Sequence, residues 1–227
     1  MTSESFQLPA WFDLTATFAF GLTGALAAIR RGYDIVGVFF LALASGIGGG
    51  LIRDGVFLHN SEPTPLLTDP RYLEVIVAAT CLGSLFRRQL NSIHRIIPVI
   101  DAIGLGAYAV FGVQKSLQAS LSVPAALLVG VINAAGGGLL RDIVTREEPL
   151  VFKPGQFYAL AALVGAVTFV CLTVLTKLEA TPAALIAIAL TFALRALSIA
   201  FNWRTSRIGP PEVASQTTAS PPADLRR

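Results

Sequence analysis

Two short strings in this sequence set opposite charges side by side in apolar surroundings: Arg53-Asp54 and Arg141-Asp142. Each follows a glycine triplet, Gly48, Gly49 and Gly50 in the first case and Gly136, Gly137 and Gly138 in the second. An arginine or aspartate at the centre of a bilayer costs about 2.5 to 3.5 kcal/mol, so four facing lipid would cost on the order of 10 kcal/mol. They must face one another or water, which suits them to holding or passing ions. Three adjacent glycines cost a helix about 1 kcal/mol each relative to alanine. Either bare backbone serves close helix contact, or the helix is broken there and lines a cavity with carbonyl oxygens and half-helix ends. The adjoining charges favour the break. Ser45 and Asn133, at equivalent places before the glycines, would add neutral oxygens to such a cavity or would hydrogen-bond between helices.

Other chemistries find little support. His59 and His94 lack spaced partners for a metal, and no Ser-His or Cys-His arrangement stands within an apolar span. No enzyme, metal or cofactor is expected. Cys81 and Cys171 each lie within an apolar run and read as small hydrophobes.

The elements that must position the charges are transmembrane helices. Of 227 residues, 54% are hydrophobic and 14% charged, against about 25% charged in a soluble domain. The mean hydropathy is +0.67. An all-α integral membrane protein follows. Seven runs approach the 20 or so residues that cross about 30 Å of hydrocarbon: 12–29, 35–58, 72–86, 97–114, 123–145, 157–176 and 182–203, the third being short. The net charge of +3 does not point to nucleic acid, because the basic residues lie between spans rather than in one patch. The N-terminus carries Glu4 and Asp13 and no basic stretch, so the first span reads as retained. The tail 204–227, rich in Pro, Ser and Thr, is expected to be disordered and cytoplasmic.

The second half repeats the first at an offset of 88 residues, which pairs Ser45 with Asn133, Arg53 with Arg141, Asp13 with Asp101 and Gly24 with Gly112. A unit of three spans is odd in number, so its second copy enters the membrane from the opposite side. The expected organisation is an outer N-terminal segment 1–11, repeat 1 over 12–95, inverted repeat 2 over 96–177, and a seventh span over 178–203. Positive loops stay cytoplasmic. With the N-terminus outside, eleven basic residues fall inside (Arg30, Arg31, Arg87, Arg88, Arg95, Arg146, Lys153, Arg204, Arg207, Arg226, Arg227) and three outside (Arg71, Lys115, Lys177). The reading is N-out and C-in in the cytoplasmic (inner) membrane. The glycine breaks of the second and fifth spans then meet near the midplane, with Arg53-Asp54 beyond the constriction on the outer side and Arg141-Asp142 on the inner side.

Neighbouring residues on a helix are offset by about 100°, so Arg53 is expected to find its partner across the pseudo-two-fold rather than in Asp54. Asp13 and Asp101, at the starts of equivalent helices, fit N-terminal capping or compensation of the helix dipole, with a place in the pore as the alternative. Lys115 is expected to snorkel to the interface or sense the membrane potential, and Arg195 to snorkel to the inner interface. Gly21, Gly24, Gly104, Gly106 and Gly112 offer small faces for contact between copies.

On both G-G-G-L-[IL]-R-D strings in a chain of twice three spans plus one, residues 10–203 resemble the prokaryotic branch of the trimeric intracellular cation channel family. Proteins with this repeat are also described as a glycine-transporter-like membrane family. The resemblance implies a homotrimer with an hourglass pore in each protomer, kinked at the six triplet glycines and lined by Arg53, Asp54, Arg141 and Asp142. It further implies monovalent cations, potassium and sodium, as the permeant partners, with membrane lipids around them. Transport of a small zwitterion such as glycine, or a purely structural role for closed ion pairs, stands as an alternative.

Overall fold

The computed structural model describes residues 7–59, 63–86, 90–153 and 157–203. The expected disordered tail 204–227 lies outside the described residues, as do Arg87 and Arg88.

Among the described residues every regular element is a helix. They are α1 (Trp11–Arg30), α2 (Ile35–Ile52), the one-turn α3 (Pro65–Thr68), α4 (Pro70–Leu85), α5 (Leu90–Gln118), α6 (Val123–Val144), α7 (Tyr158–Val170) and α8 (Ala180–Ala200). Five-residue π-helical turns extend α2 over Arg53–Phe57 and α7 over Cys171–Leu175. Six helices, counting these extensions, are long and apolar enough to cross a membrane, while α4 has only 16 residues, the short third span of the sequence. Local chemistry sets the ends: Asp34 accepts from the Gly37 amide at 2.8 Å to cap α2, and Asp69 accepts from the Arg71 amide at 3.0 Å ahead of Pro70 to cap α4.

The helices alternate in direction. The starts of α1, α4, α6 and α8 share one end of the bundle, here called the N-terminal face, with the finish of α2 and α5. Three apolar clusters hold the bundle together. One joins α1, α2 and α4 through Leu26, Leu41 and Ile76; a second joins α1, α5, α6, α7 and α8 through Phe12, Val113 and Phe169; a third lies between them around Phe20, Leu105 and Tyr108. Phe40, Leu85 and Leu175 are exposed apolar side chains on the outer surface, as a lipid-facing wall requires, and the free thiols of Cys81 and Cys171 lie on it too.

The expected break at the glycines is absent. Helix α2 runs unbroken to Ile52 and α6 to Val144, each through its triplet. Backbone proximity explains the glycines instead. A Cβ at Gly49 would overlap the Asn133 carbonyl, one at Gly137 would overlap the Ser45 carbonyl, and one at Gly136 would lie 2.8 Å from the Gly49 Cα. The first two contacts are reciprocal under the 88-residue offset. The departure from α-helical geometry comes just after the triplet of α2, where the Arg53 carbonyl accepts from the Leu58 amide across the π turn at 3.0 Å.

Glycines expected to face another copy are used within the chain. A Cβ at Gly24 would meet Ser45 Cβ at 2.8 Å, and one at Gly112 would meet Asn133 Cβ at 3.0 Å; Gly21 packs on Ile76, Gly104 on Phe20 and Gly106 on Ile188.

Candidate functional site

Each Arg-Asp pair sits in a buried cluster of its own, one toward each face. At the N-terminal face, Arg53 holds Asp54 in a two-point pairing, Nε to Oδ1 at 2.6 Å and Nη2 to Oδ2 at 2.9 Å. The same guanidinium lies 3.5 Å from Asp13 on α1 and 5.4 Å from the centroid of the Phe111 ring on α5. Asp13 accepts from the Tyr72 hydroxyl on α4 at 2.6 Å. Asp54 also accepts from Thr64, in the loop after α2, at 2.5 Å, and from Lys115 on α5 at 3.4 Å.

Toward the opposite face, Arg141 Nε donates to Asp142 at 2.9 Å, and Nη1 donates to Asp101 on α5 at 2.9 Å and to the Thr23 hydroxyl on α1 at 3.0 Å. The loop after α6 returns to Asp142, which accepts from the Leu150 amide at 3.1 Å. A Cβ at Gly138 would lie 2.9 Å from the Tyr158 hydroxyl, 3.5 Å from Asp101 and 3.6 Å from Arg141, so the absent side chain lets these three groups meet.

Arg53 and Asp101 are fully buried, and Asp13, Asp54, Arg141 and Asp142 nearly so. Their partners differ from those expected. Each arginine takes its carboxylates from its own half, the neighbouring aspartate and the first-helix aspartate; across the pseudo-two-fold Arg141 meets only the Thr23 hydroxyl and Arg53 only the Phe111 ring. The reason is reach: a long arginine side chain bends back over the turn, and Asp13 and Asp101 stand where α1 and α5 pack closely on α2 and α6. The expected capping role fails as well. No side chain caps α1, although Asp13 does stand in its first turn, and Asp101 lies in the interior of α5. Arg195 does not snorkel; it is fully buried, with its guanidinium carbon 4.8 Å from the centroid of the Tyr158 ring.

Between the clusters lies the contact of α2 with α6. Phe20 of α1 and Tyr108 of α5, equivalent under the offset, stack there with centroids 5.4 Å apart, and both are fully buried. The Tyr108 hydroxyl bonds Thr17 Oγ1 at 2.8 Å and donates to the Gly46 carbonyl. Ser45 faces Gly24 of α1, and Asn133 faces Gly112 of α5 while Nδ2 donates to the Tyr108 carbonyl at 2.7 Å. Gly48 faces Leu140, and Gly50 is buried.

The Arg141 cluster opens on a cavity of about 110 Å³, lined among others by Arg30, Pro98, Asp142, Glu147 and Lys153. Glu147, on the lining of this cavity, accepts from both Arg30 and Arg31 at the end of α1, the latter at 3.1 Å. Partial burial pushes the Glu147 carboxyl up, but the two guanidiniums outweigh that and hold it below the usual carboxylate range.

Sequence reasoning missed Tyr72, Thr23, Phe111, Tyr108 and Tyr158. The offset carries a signal for some of them, since Thr23 stands over Phe111 and Phe20 over Tyr108, yet the residue types differ and neither pair reads as a motif.

An all-helical bundle with paired charges buried at membrane depth defines a multi-pass membrane protein. The sequence profile of the glycine transporter family matches residues 10–88 and again 98–174, and the chain belongs to that family. It is 33% identical over 162 residues to the UPF0126 inner membrane protein YadS of Escherichia coli K12, covering 71% of this chain and 77% of the relative. It is 32% identical over 157 residues to a UPF0126 membrane protein of Deinococcus radiodurans, covering 69% and 72%. Among solved structures it is similar to the TRIC trimeric intracellular cation channel orthologue from Rhodobacter sphaeroides, with a TM-score of 0.78 and 32% identity over 84% of this chain and 96% of that one. A structure determined to explain conductance through TRIC cation channels matches with a TM-score of 0.76 and 29% identity, over 91% and 100%.

Proposed function

We propose that this chain is a passive channel for monovalent cations, potassium first and sodium second, with one path through each protomer of a homotrimer. The observation that carries the reading is the pair of buried Asp-Arg-Asp clusters, one on either side of the Gly49–Gly137 contact, in a fold shared with trimeric intracellular cation channels. Arg53, Asp54, Arg141 and Asp142 line the path in this reading, with Lys115 beside Asp54 and Ser45 and Asn133 bracing the helices behind it. Ions pass when α2 and α6 separate at glycines 48–50 and 136–138. The arginines, held by carboxylates, then act as gate rather than filter.

The inverted repeats run over 12–95 and 96–177 in this reading, with the seventh helix added outside them. The protein lies in the inner membrane, N-terminus outside and C-terminus cytoplasmic, by the distribution of lysine and arginine in its connections. That orientation puts the Glu147 clasp on the cytoplasmic side.

Purified protein in a planar lipid bilayer is expected to give unitary currents whose reversal potential follows an imposed potassium gradient. Electrically silent protein that instead takes up glycine saturably would establish the second reading, a carrier of a small zwitterion. The family description favours that reading, and so does the presence of buried acidic and basic groups to receive an ammonium and a carboxylate.

A further inference from the structure

The offset that relates the two clusters supplies each with the same three charges, two aspartates and an arginine: Asp13, Asp54 and Arg53 in one, Asp101, Asp142 and Arg141 in the other. Each trio carries a net charge of −1. In the first, Lys115 brings the sum to zero by bonding Asp54 at 3.4 Å. Duplication does not supply a matching lysine to the second, because the residue 88 positions before Lys115 is Ala27. The fourth charge comes from elsewhere. Arg195, on the helix that lies outside the repeat, is fully buried, stacks over the Tyr158 ring at 4.8 Å and has Asp101 as the carboxylate in electrostatic range. The Tyr158 hydroxyl in turn stands beside Asp101 and Arg141 at Gly138.

We infer that Arg195 is the charge-setting residue of the Arg141 cluster: α8 inserts a guanidinium behind Tyr158 that neutralises the Asp101–Arg141–Asp142 trio and thereby fixes how readily cations enter from that face. The inference rests on the channel reading. Arg195 acts on the trio through the field, across Tyr158, so it is a positioning and selectivity residue rather than an ion ligand. A low-dielectric setting makes one uncompensated charge there strong, and a more negative trio, behind the cavity lined by Arg30, Glu147 and Lys153, holds cations that enter from that face more strongly. The two ends also differ in kind. Lys115 is a flexible ammonium, 21% exposed, whereas Arg195 is enclosed and always charged, so the balance at the Arg141 end is permanent.

The test is single-channel recording of the full-length protein in potassium chloride at low ionic strength. It compares wild type, Arg195→Gln and Arg195→Lys by the ratio of unitary currents at equal positive and negative voltages. Arg195→Gln is expected to change that ratio about threefold or more, with cations entering from the Arg141 face favoured, while Arg195→Lys retains the wild-type ratio. A merely structural role would alter assembly or the number of channels and leave the ratio of unitary currents alone. Should Arg195→Gln not assemble, Arg195→His serves. Facing Tyr158 and Asp101, it is expected to conduct with the wild-type ratio at acid pH and to acquire the asymmetry as pH rises and the imidazolium, favoured by Asp101 and disfavoured by burial, loses its proton. An unchanged ratio in Arg195→Gln, or a pH-independent one in Arg195→His, overturns the inference while leaving the channel reading intact. Absence of wild-type currents overturns the channel reading itself.

Discussion

Arg141 reaches Asp101, 40 residues earlier in the chain, through a single 2.9 Å bond from Nη1 to Oδ1, while its Nε holds the adjacent Asp142 at the same distance. One guanidinium therefore ties α5 to α6 at a depth where neither charge could stand alone.

Removing one member of such a pair leaves an uncompensated buried charge, a change that typically costs about 3 to 5 kcal/mol. Asp101→Asn is expected to lower thermal stability in detergent by that order, measured as the loss of monodisperse protein on heating. Asp69→Asn removes the charge from a surface pair with Arg71 and keeps a side-chain oxygen able to cap α4, so it should change stability far less. Equal effects of the two substitutions would mean that the buried pair contributes no more than a surface one.

The glycine contact makes a steric prediction. Gly49→Ala and Gly137→Ala each drive a methyl group into a backbone carbonyl of the facing helix, which cannot rotate away, so each is expected to cost about 1 to 3 kcal/mol and to wedge α2 from α6. Gly55, where a methyl group would meet nothing within 4 Å and φ is negative, is the control: Gly55→Ala should be neutral or stabilise by up to about 1 kcal/mol. Thermal stability of the three variants side by side decides it.

Much of this architecture is legible in the sequence. Spans 12–29 and 35–58 correspond to Trp11–Arg30 and Ile35–Phe57, because hydropathy reports burial in lipid or protein directly. The two Arg-Asp strings mark both clusters. Direction stays hidden. Adjacent residues on an ideal helix point apart, and it is side-chain flexibility that lets Arg53 in its π turn and Arg141 in an unbroken α-helix each grip the next aspartate. The glycine triplets point to breaks only because helix propensity counts their cost and is blind to the neighbouring helix that requires them. Arg195 is equally ambiguous: a charge near a helix end satisfies the same pattern whether it reaches water or turns inward to Tyr158.

The Glu147 clasp carries a pH dependence whose sign follows from its depressed titration. A carboxyl held below its ordinary range by Arg30 and Arg31 contributes its attraction fully above the unfolded value, about 4.3 for glutamate, and loses it only as pH falls through the lower folded value. The clasp should therefore stay shut from neutral pH down to about 5 and release below the ordinary glutamate range. A cysteine placed at Thr145, which lines the same cavity as Glu147, reports on this through its rate of modification by a small thiol reagent corrected for thiolate content. The rate should be flat above the glutamate range and rise below it, whereas Glu147→Gln should give the faster rate at every pH. A rise already near pH 6 would assign the opening to another group.

The two clusters also differ in how they satisfy the arginine. Thr23 and Phe111 occupy equivalent positions on α1 and α5, yet Thr23 accepts a 3.0 Å bond from Arg141 while Phe111 offers Arg53 the face of its ring at 5.4 Å. Thr23→Val keeps the shape and removes the acceptor, leaving a buried charged donor short of one bond, at a cost of about 1 to 3 kcal/mol. Phe111→Leu keeps an apolar filling and removes the ring's attraction for the cation, worth about 2 kcal/mol when desolvated, and it removes packing area besides. Both should destabilise, but they separate under repair. Thr23→Ser restores the acceptor and should recover most of the loss. Phe111→Tyr keeps the aromatic face and should behave like wild type, provided its hydroxyl finds a partner near Lys115, whose ammonium lies 5.8 Å from the same ring. If Thr23→Val and Thr23→Ser melt together, the bond to Arg141 is not what that position supplies, and Asp101 and Asp142 alone account for the holding of the guanidinium.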